Sequence, residues 1–271
     1  MTDHLDNALT IFVNSSDGFV DCWPPFFKLL DTYWPEHGRV LLNTETRDWP
    51  GAPSYVRCSQ VAVGETQRLP WSECVIRGIK QISTPLMLYF QEDYFIERPV
   101  RHEVVAAAVA KMLADPSIEH IALTRHGPLP PYCPYPDPDY ALVAPNARYR
   151  ISTQAGLWRC NALLSYLDRS ENGWMFEILG TIRARRRDAT FLVARHDDSI
   201  GGPAIDYTHT GIIKGQWHQA IPALFAAHGI PMDFEQRGFH TPPGRLFSKV
   251  AVARKLAERP GHVLHHLLRR G

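Results

Sequence analysis

Two groups of carboxylates stand out in this chain because of their neighbours. Gln91-Glu92-Asp93 follows directly on Leu86-Met-Leu-Tyr-Phe90, the most apolar strand-like run present. Adjacent acids at the carboxyl end of a buried strand stand where open α/β sheets bind their ligands. One or two carboxylates suffice for a divalent ion that also takes phosphate oxygens, because Mg²⁺ keeps much of its water. The same pair would serve equally as a helix cap or a solvated turn. The second group is Glu171-Asn-Gly-Trp-Met-Phe-Glu177, in which two acids bracket Trp174 and Phe176. Burial beside aromatic rings raises a carboxyl pKa toward the range useful for proton transfer. The alternative is a helix start with acids favoured by the dipole and the aromatics in the core. Further on, Tyr207-Thr-His209-Thr-Gly-Ile-Ile-Lys214-Gly215 adds a histidine and a Lys-Gly pair.

The elements that must carry these residues alternate. Residues 9–13 predict a strand that ends in the loop-forming cluster Asn14-Ser-Ser-Asp-Gly18. Pro24-Pro25 fits the first turn of a helix bearing Phe26, Phe27, Leu29 and Leu30. Residues 39–43 read as a second strand and a third lies near 56–63. A helix begins at Pro70-Trp71-Ser72 with Val75, Ile79 and Ile82 at helical spacing. After the strand at 86–90, a helix over 98–114 and a strand over 118–124 follow. Strands alternating with helices of this length predict an α/β fold, a mostly parallel sheet covered on both faces. Six prolines within the twelve residues 127–138 predict a surface loop without regular structure. Beyond it, 140–151 is strand-like, and helices are expected near 158–167 and 174–185.

Bulk properties exclude several classes. The chain has 271 residues, 45% apolar and 21% charged, and is long enough to bury a substantial core. A formal charge of +1 argues against a nucleic-acid binder working through bulk electrostatics. The charge is uneven: from Gly244 onward seven Lys or Arg face one acid, Glu258. That tail, 241–271, is expected to be helical and basic, with attraction to an anionic membrane surface through 244–271. Five scattered cysteines without a Cys-x-x-Cys pair fit a reducing compartment. No secretory pattern opens the sequence and no apolar run is long enough to span a membrane. A cytoplasmic location, at the inner membrane face, is the expectation.

The chain resembles bacterial polysaccharide-type glycosyltransferases of GT-A (Rossmann-like) fold. The resemblance is carried by Phe12-Val-Asn-Ser-Ser-Asp17, Trp23-x-Pro-Phe-Phe27, Leu42-Asn-Thr-Glu45, Trp71-Ser-x-x-x-x-Arg77-Gly-Ile-Lys80 and Gln91-Glu-Asp-Tyr-Phe95. Gln154-Ala-Gly-Leu-Trp158, Glu171-Asn-Gly-Trp-Met-Phe-Glu177 and Ile213-Lys-Gly-Gln-Trp217 complete it, so that it extends from about residue 10 to 220. It implies one domain over 1–240, with a nucleotide-sugar-binding half at 1–125 and an acceptor half at 139–240. It also implies that Gln91-Glu92-Asp93 stands at the Asp-x-Asp position that holds a metal (Mg or Mn) and the donor diphosphate. Gln91 replaces the first acid there, which leaves Asp93 as the first metal contact and Glu92 as the second. By the same resemblance Asn14, Asp17 and Glu45 contact the nucleoside, and Trp71, Arg77 and Lys214 belong to the donor side. Arg77 is expected to pair with Asp93 or with phosphate. The resemblance also implies His209 as a third metal ligand, since metal-dependent relatives often use a late histidine. It implies Glu177 as the base that takes the proton of an acceptor hydroxyl, with Glu171 its alternate. Gln154, Trp158 and Trp174 are expected to shape the acceptor side, for a glycan or lipid-linked acceptor. The chemistry requires the acids at 92–93 and Glu177 to face one cavity.

Rival classes fit less well. A sugar-nucleotide pyrophosphorylase needs a Gly-rich basic loop after the first strand, which Asn14–Gly18 does not supply. The His/Asp ligand clusters of a metal nuclease and the Gly-x-Ser-x-Gly of a serine hydrolase are absent from the sequence. A non-catalytic nucleotide-sugar or carbohydrate-binding module is the alternative from another class.

Overall fold

The computed structural model describes residues 7–242. Nine strands form one sheet: β1 (Leu9–Asn14), β2 (Val40–Asn43), β3 (Val56–Cys58), β4 (Leu86–Gln91), β5 (Ile118–Ala122), β6 (Tyr132–Pro134), β7 (Tyr140–Val143), β8 (Gly156–Arg159) and β9 (Thr190–Ala194). Their order is β3-β2-β1-β4-β8-β5-β9-β7-β6. The pairs β1–β2, β1–β4, β2–β3 and β5–β9 are parallel, and β8 and β7 run against their neighbours. Seven strands therefore point one way and two the other. The mostly parallel α/β sheet expected from the sequence is the one observed. β1 is buried at every position, as a central strand covered on both faces must be.

Helices α1 (Trp23–Tyr33), α2 (Trp71–Ile79), α3 (His102–Ala114), α4 (Cys160–Tyr166) and α5 (Gly173–Ala184) cover the sheet. Pro24 and Pro25 open α1, where the missing amide hydrogens cost nothing. Successive strand residues face opposite layers, and β4 shows it. Phe90 meets Phe26 of α1 edge-on at 5.8 Å, whereas Tyr89 lies in a core with Phe12, Val75, Trp158, Tyr166 and Phe176. That second core joins the sheet to α2, α4 and α5, and Tyr89 carries its hydroxyl there.

Several expectations are corrected. Residues 158–167 are not one helix: Gly156–Arg159 pairs with β4 on one side and β5 on the other, and α4 starts only at Cys160. So short an apolar run has no period that separates strand from helix. The proline-rich break contains β6, which survives because it is an edge strand, where a missing amide hydrogen leaves no ladder bond unmade. The strands near 56–63 and 140–151 end at Cys58 and Val143, and the helix over 98–114 begins at His102. β9 had no expected counterpart.

The chain divides into two compact units, one ending at His209 and one beginning at Thr210. In the second, β10 (Ile212–Ile213) and β11 (Gln216–Trp217) form a hairpin, followed by α6 (Ile221–Ala227). Trp217 packs on Phe225 and Phe234 at 5.8 and 5.4 Å. The anticipated basic helix at 244–271 lies outside the described residues. Among those described, no helix is long and apolar enough to cross a membrane.

One contact makes the sheet-to-α2 spacing testable. A Cβ added at Gly78 would lie 2.3 Å from Asn43 Oδ1 and 2.9 Å from the Phe12 ring. Gly78→Ala should lower unfolding stability by about 1–3 kcal/mol through overpacking. Urea unfolding of the variant reads this, and an unchanged midpoint contradicts the close approach.

Candidate functional site

The parallel register brings the carboxyl ends of three strands level: Asn14 stands opposite Asn43 of β2 and Gln91 of β4. Asn43 Nδ2 donates to Asn14 Oδ1 at 3.0 Å and to the Cys74 carbonyl at 3.3 Å, while the Ser59 hydroxyl donates to Asn43 Oδ1 at 2.8 Å. This buried network ties β1 and β2 to α2.

The loops beyond these strands bind each other. Asp17 accepts backbone N–H bonds from Glu45, Thr46 and Arg47 at 2.9–3.2 Å, plus the Thr46 hydroxyl. Glu45 Oε2 accepts the Asp17 amide at 3.2 Å, and its Oε1 meets Arg68 at 3.0 Å. Burial pushes the Asp17 pKa up, but the bonds from Thr46, Arg47 and Glu45 outweigh it, so its carboxyl stays below its ordinary value. Asp17 and Glu45 thus clamp the two loops together. Arg77 was expected to pair with Asp93, and that pairing is corrected. It bonds Glu73 one helical turn away at 2.9 Å and Glu65 at 2.7 Å, not Asp93.

The acidic turn starts where β4 ends, closed by the Tyr94 amide donating to the Gln91 carbonyl at 3.1 Å. Glu92 and Asp93 are 6% and 5% exposed. Tyr89, three residues before Glu92, holds a fully buried phenol. Burial, then the charges of Glu92, Glu177 and Asp93, push its pKa well up. Tyr94 is also pushed up by burial, with Tyr207, Asp93, Tyr89 and Glu177 adding to it. The fields of the acidic turn and of Glu177 thus meet at the same two phenols. Tyr94 stacks on Tyr207 with ring centroids 4.8 Å apart. Gln154 bridges them, its Nε2 donating to the Tyr94 hydroxyl at 3.1 Å and its Oε1 accepting from Tyr207 at 3.0 Å.

Glu177 projects from α5, whose N-terminus is capped by Asn172 accepting the Met175 amide at 2.9 Å. The segment 150–153 lies along this helix. Arg150 Nη1 donates to the Ala184 carbonyl at 2.6 Å, the Ile151 amide to the Thr181 hydroxyl at 3.1 Å, and the Thr153 amide and hydroxyl to Glu177 Oε1 at 2.8 and 2.9 Å. The Ser152 hydroxyl reaches the same oxygen at 3.5 Å. The three bonds to Glu177 all go to Oε1; among the described residues no donor reaches Oε2. Burial raises the Glu177 pKa, and the bonds from Thr153 and Ser152 offset it only in part.

Other expected residues are placed differently. Glu171 is completely buried in a two-pronged ion pair with Arg183 at 2.6 and 2.7 Å, so both its oxygens are taken and it is no alternate base. Trp158 is core, 4.3 Å from His120 and 5.7 Å from Phe191, because β8 is buried between β4 and β5. Trp71 opens α2 and packs on Phe176 at 5.8 Å, joining α2 to α5, and Trp174 is half-buried in the first turn of α5. His209 lies edge-on to His126 at 5.2 Å. Among the described residues no three His, Cys, Asp or Glu are gathered to hold a metal ion, so the expected Asp93, Glu92, His209 set does not form. The two turn carboxylates alone remain, a number that suits an ion held mainly by phosphate and water. Lys214, with φ of 52°, and Gly215, with φ of 82°, form the two-residue tip of the β10–β11 hairpin in the second unit.

Tyr89, Thr153 and Tyr207 were not singled out in the sequence. Tyr89 lay inside the apolar run and Thr153 beside Gln154, and both are recruited by contacts distant along the chain.

No family model matches the chain, and no curated protein matches it. Solved structures do. It is similar to S. aureus TarS 1-349, at 15% identity and a TM-score of 0.45, over 69% of this chain and 57% of that one. It is similar to glucosyl-3-phosphoglycerate synthase from Mycobacterium tuberculosis in complex with Mn2+ and uridine-diphosphate-glucose, at 15% identity and a TM-score of 0.42, over 86% of this chain and 85% of that one. A third is mannosyl-3-phosphoglycerate synthase from Rubrobacter xylanophilus, at 13% identity and a TM-score of 0.30, over 45% and 41%. The chain thus spans little more than half of the TarS 1-349 structure. Likenesses this distant assign no residue a role.

Proposed function

We propose that this chain is a glycosyltransferase that moves a sugar from a nucleotide-sugar to an acceptor hydroxyl with inversion. One observation carries the reading: the charges of Asp93 and Glu177, from distant parts of the chain, both act on the buried phenols of Tyr89 and Tyr94 at the carboxyl end of β4. Such an end is where α/β sheets bind nucleotides.

In this reading the donor diphosphate lies against the Glu92–Asp93 turn and Asn14. A divalent ion bound with the donor would be held by Asp93 and Glu92 and would neutralise charge on the departing diphosphate. Glu177 faces the acceptor. Its Oε2 takes the proton of the acceptor hydroxyl as that oxygen bonds to the anomeric carbon. The bond from that carbon to the phosphate oxygen breaks, and its electron pair leaves with the nucleoside diphosphate. The carboxylates favour the positive character the sugar acquires on the way. Trp174 and Trp71 supply half-buried aromatic surface beside α5, suited to the apolar face of a sugar. The acceptor is a glycan, a lipid-linked sugar or a small hydroxyl compound, and the reaction belongs in the cytoplasm, where the basic residues 244–271 would bring the enzyme to an anionic surface.

Glu177→Gln should lower kcat by about 10²–10⁴-fold, with the donor KM within about threefold. Nucleotide release from a panel of nucleotide-sugars, with and without Mg²⁺ or Mn²⁺, reads this; equal loss in both constants points to a structural role. Asp93→Asn should abolish transfer while its circular dichroism spectrum stays unchanged, and full activity removes Asp93 from the mechanism.

The raised Glu177 pKa also gives a stability test. The folded pKa lies above the unfolded one, so the stability that its proton contributes is complete below the unfolded pKa and is lost as pH rises through the folded value. Glu177→Gln removes that loss. Its Tm should exceed that of the native protein at pH 7–8, and the advantage should vanish below about pH 4. A lower Tm at pH 8 contradicts a carboxylate held at a cost in charge burial.

A further inference from the structure

Three rungs hold the segment 150–153 on one side of α5, at Ala184, Thr181 and Glu177. The last rung differs from the others because it ends on a side-chain carboxylate. Thr153 gives Glu177 Oε1 both its amide and its hydroxyl, at 2.8 and 2.9 Å. We infer that Thr153 is the positioning residue of the proposed transfer: it fixes Glu177 through Oε1, so that Oε2 is the atom that takes the acceptor proton. This rests on Glu177 acting as the base.

Geometry and chemistry agree on the asymmetry. A carboxylate oxygen that accepts two or three hydrogen bonds is the poorer proton acceptor of the pair, and the unbonded oxygen is the more basic. The amide donor is fixed by the backbone. The hydroxyl is fixed by the β-branched side chain, which has few rotamers, and Thr153 is itself buried. The charge of Glu177 acts on the Tyr89 and Tyr94 phenols, and Ser152 and Thr153 meet its carboxylate from the loop side. Among the described residues the groups that donate a hydrogen bond to Glu177 are those of Ser152 and Thr153. Removing the Thr153 hydroxyl should therefore weaken the charged form and loosen the side chain at once.

The test compares Thr153→Val, which keeps the shape and loses the hydroxyl, with Thr153→Ser, which keeps the hydroxyl. Glu177 is titrated without substrate by carbon NMR of carboxyl-labelled glutamate, its signal identified by its loss in Glu177→Gln. Thr153→Val should move the Glu177 midpoint up by about one pH unit or more, and Thr153→Ser should leave it near the native value. In parallel, release of UDP from UDP-glucose serves as the turnover probe. Thr153→Val should lower kcat about tenfold or more with KM within about twofold, should shift the acid limb of the pH profile upward with the NMR midpoint, and should be rescued by Thr153→Ser. An unmoved midpoint in Thr153→Val, or a serine variant that behaves like the valine one, overturns the inference. If the midpoint moves while both Thr153→Val and Glu177→Gln turn over like the native protein, the clamp is real but Glu177 is not the base. The positioning role then falls with the mechanism.

Discussion

Three carboxylates act on one buried phenol. Glu92, Asp93 and Glu177 all add to the burial that pushes Tyr89 away from ionisation. For Glu177 two influences oppose each other: burial moves it toward its neutral form, and Ser152 and Thr153 steady one of its oxygens in the charged form. What remains is an anionic patch at the carboxyl end of the sheet, suited to a substrate that gains positive character as it reacts. A bare diphosphate would be repelled by the same patch, so the proposed donor site calls for a cation bound with the donor.

Much of the surrounding structure serves to keep that patch in place. The Asn14–Asn43–Ser59 network holds the strand ends and the start of α2 together. The fully buried Glu171, just before the helix that carries Glu177, pairs with Arg183 of that helix, and Arg183 also donates to the Tyr166 carbonyl at 2.9 Å. Breaking such a pair on one side leaves an uncompensated charge, so its value lies in fixing geometry. Gly156 matters for a related reason. A Cβ there would sit 2.5 Å from His120 Nε2, so only glycine lets β8 pass that buried ring and deliver Gln154 and Thr153 to the site.

The sheet and its two helical layers could be read from the alternation of β-branched runs with amphipathic segments, and the acidic turn from its place behind the most apolar strand. Glu177 stood out with Glu171 as an acid beside aromatic rings, but its assignment as the base came only through family resemblance, because nothing within its own helix separates it from a helix-start acid. Its clamp was invisible for a topological reason: Thr153 lies on a separate segment and reaches the helix only after β8 and α4 have intervened. Trp158 was misplaced because Gly-Leu-Trp-Arg is too short to show a period, and its burial comes from pairing on both edges. Asp17, Glu45 and Arg77 were expected on the donor side and Glu171 as an alternate base. Each is bound to a protein partner, and partner choice is set by tertiary contacts that residue types do not reveal.

The central claim is that the acidic turn after β4 and Glu177 on α5 bound a single substrate cavity. A crystal structure of Glu177→Gln with a bound nucleotide-sugar tests it most directly. The account predicts the diphosphate against Glu92–Asp93, with the anomeric carbon between that turn and residue 177. A nucleotide seated in another crevice, or an anomeric carbon turned away from residue 177, would contradict it.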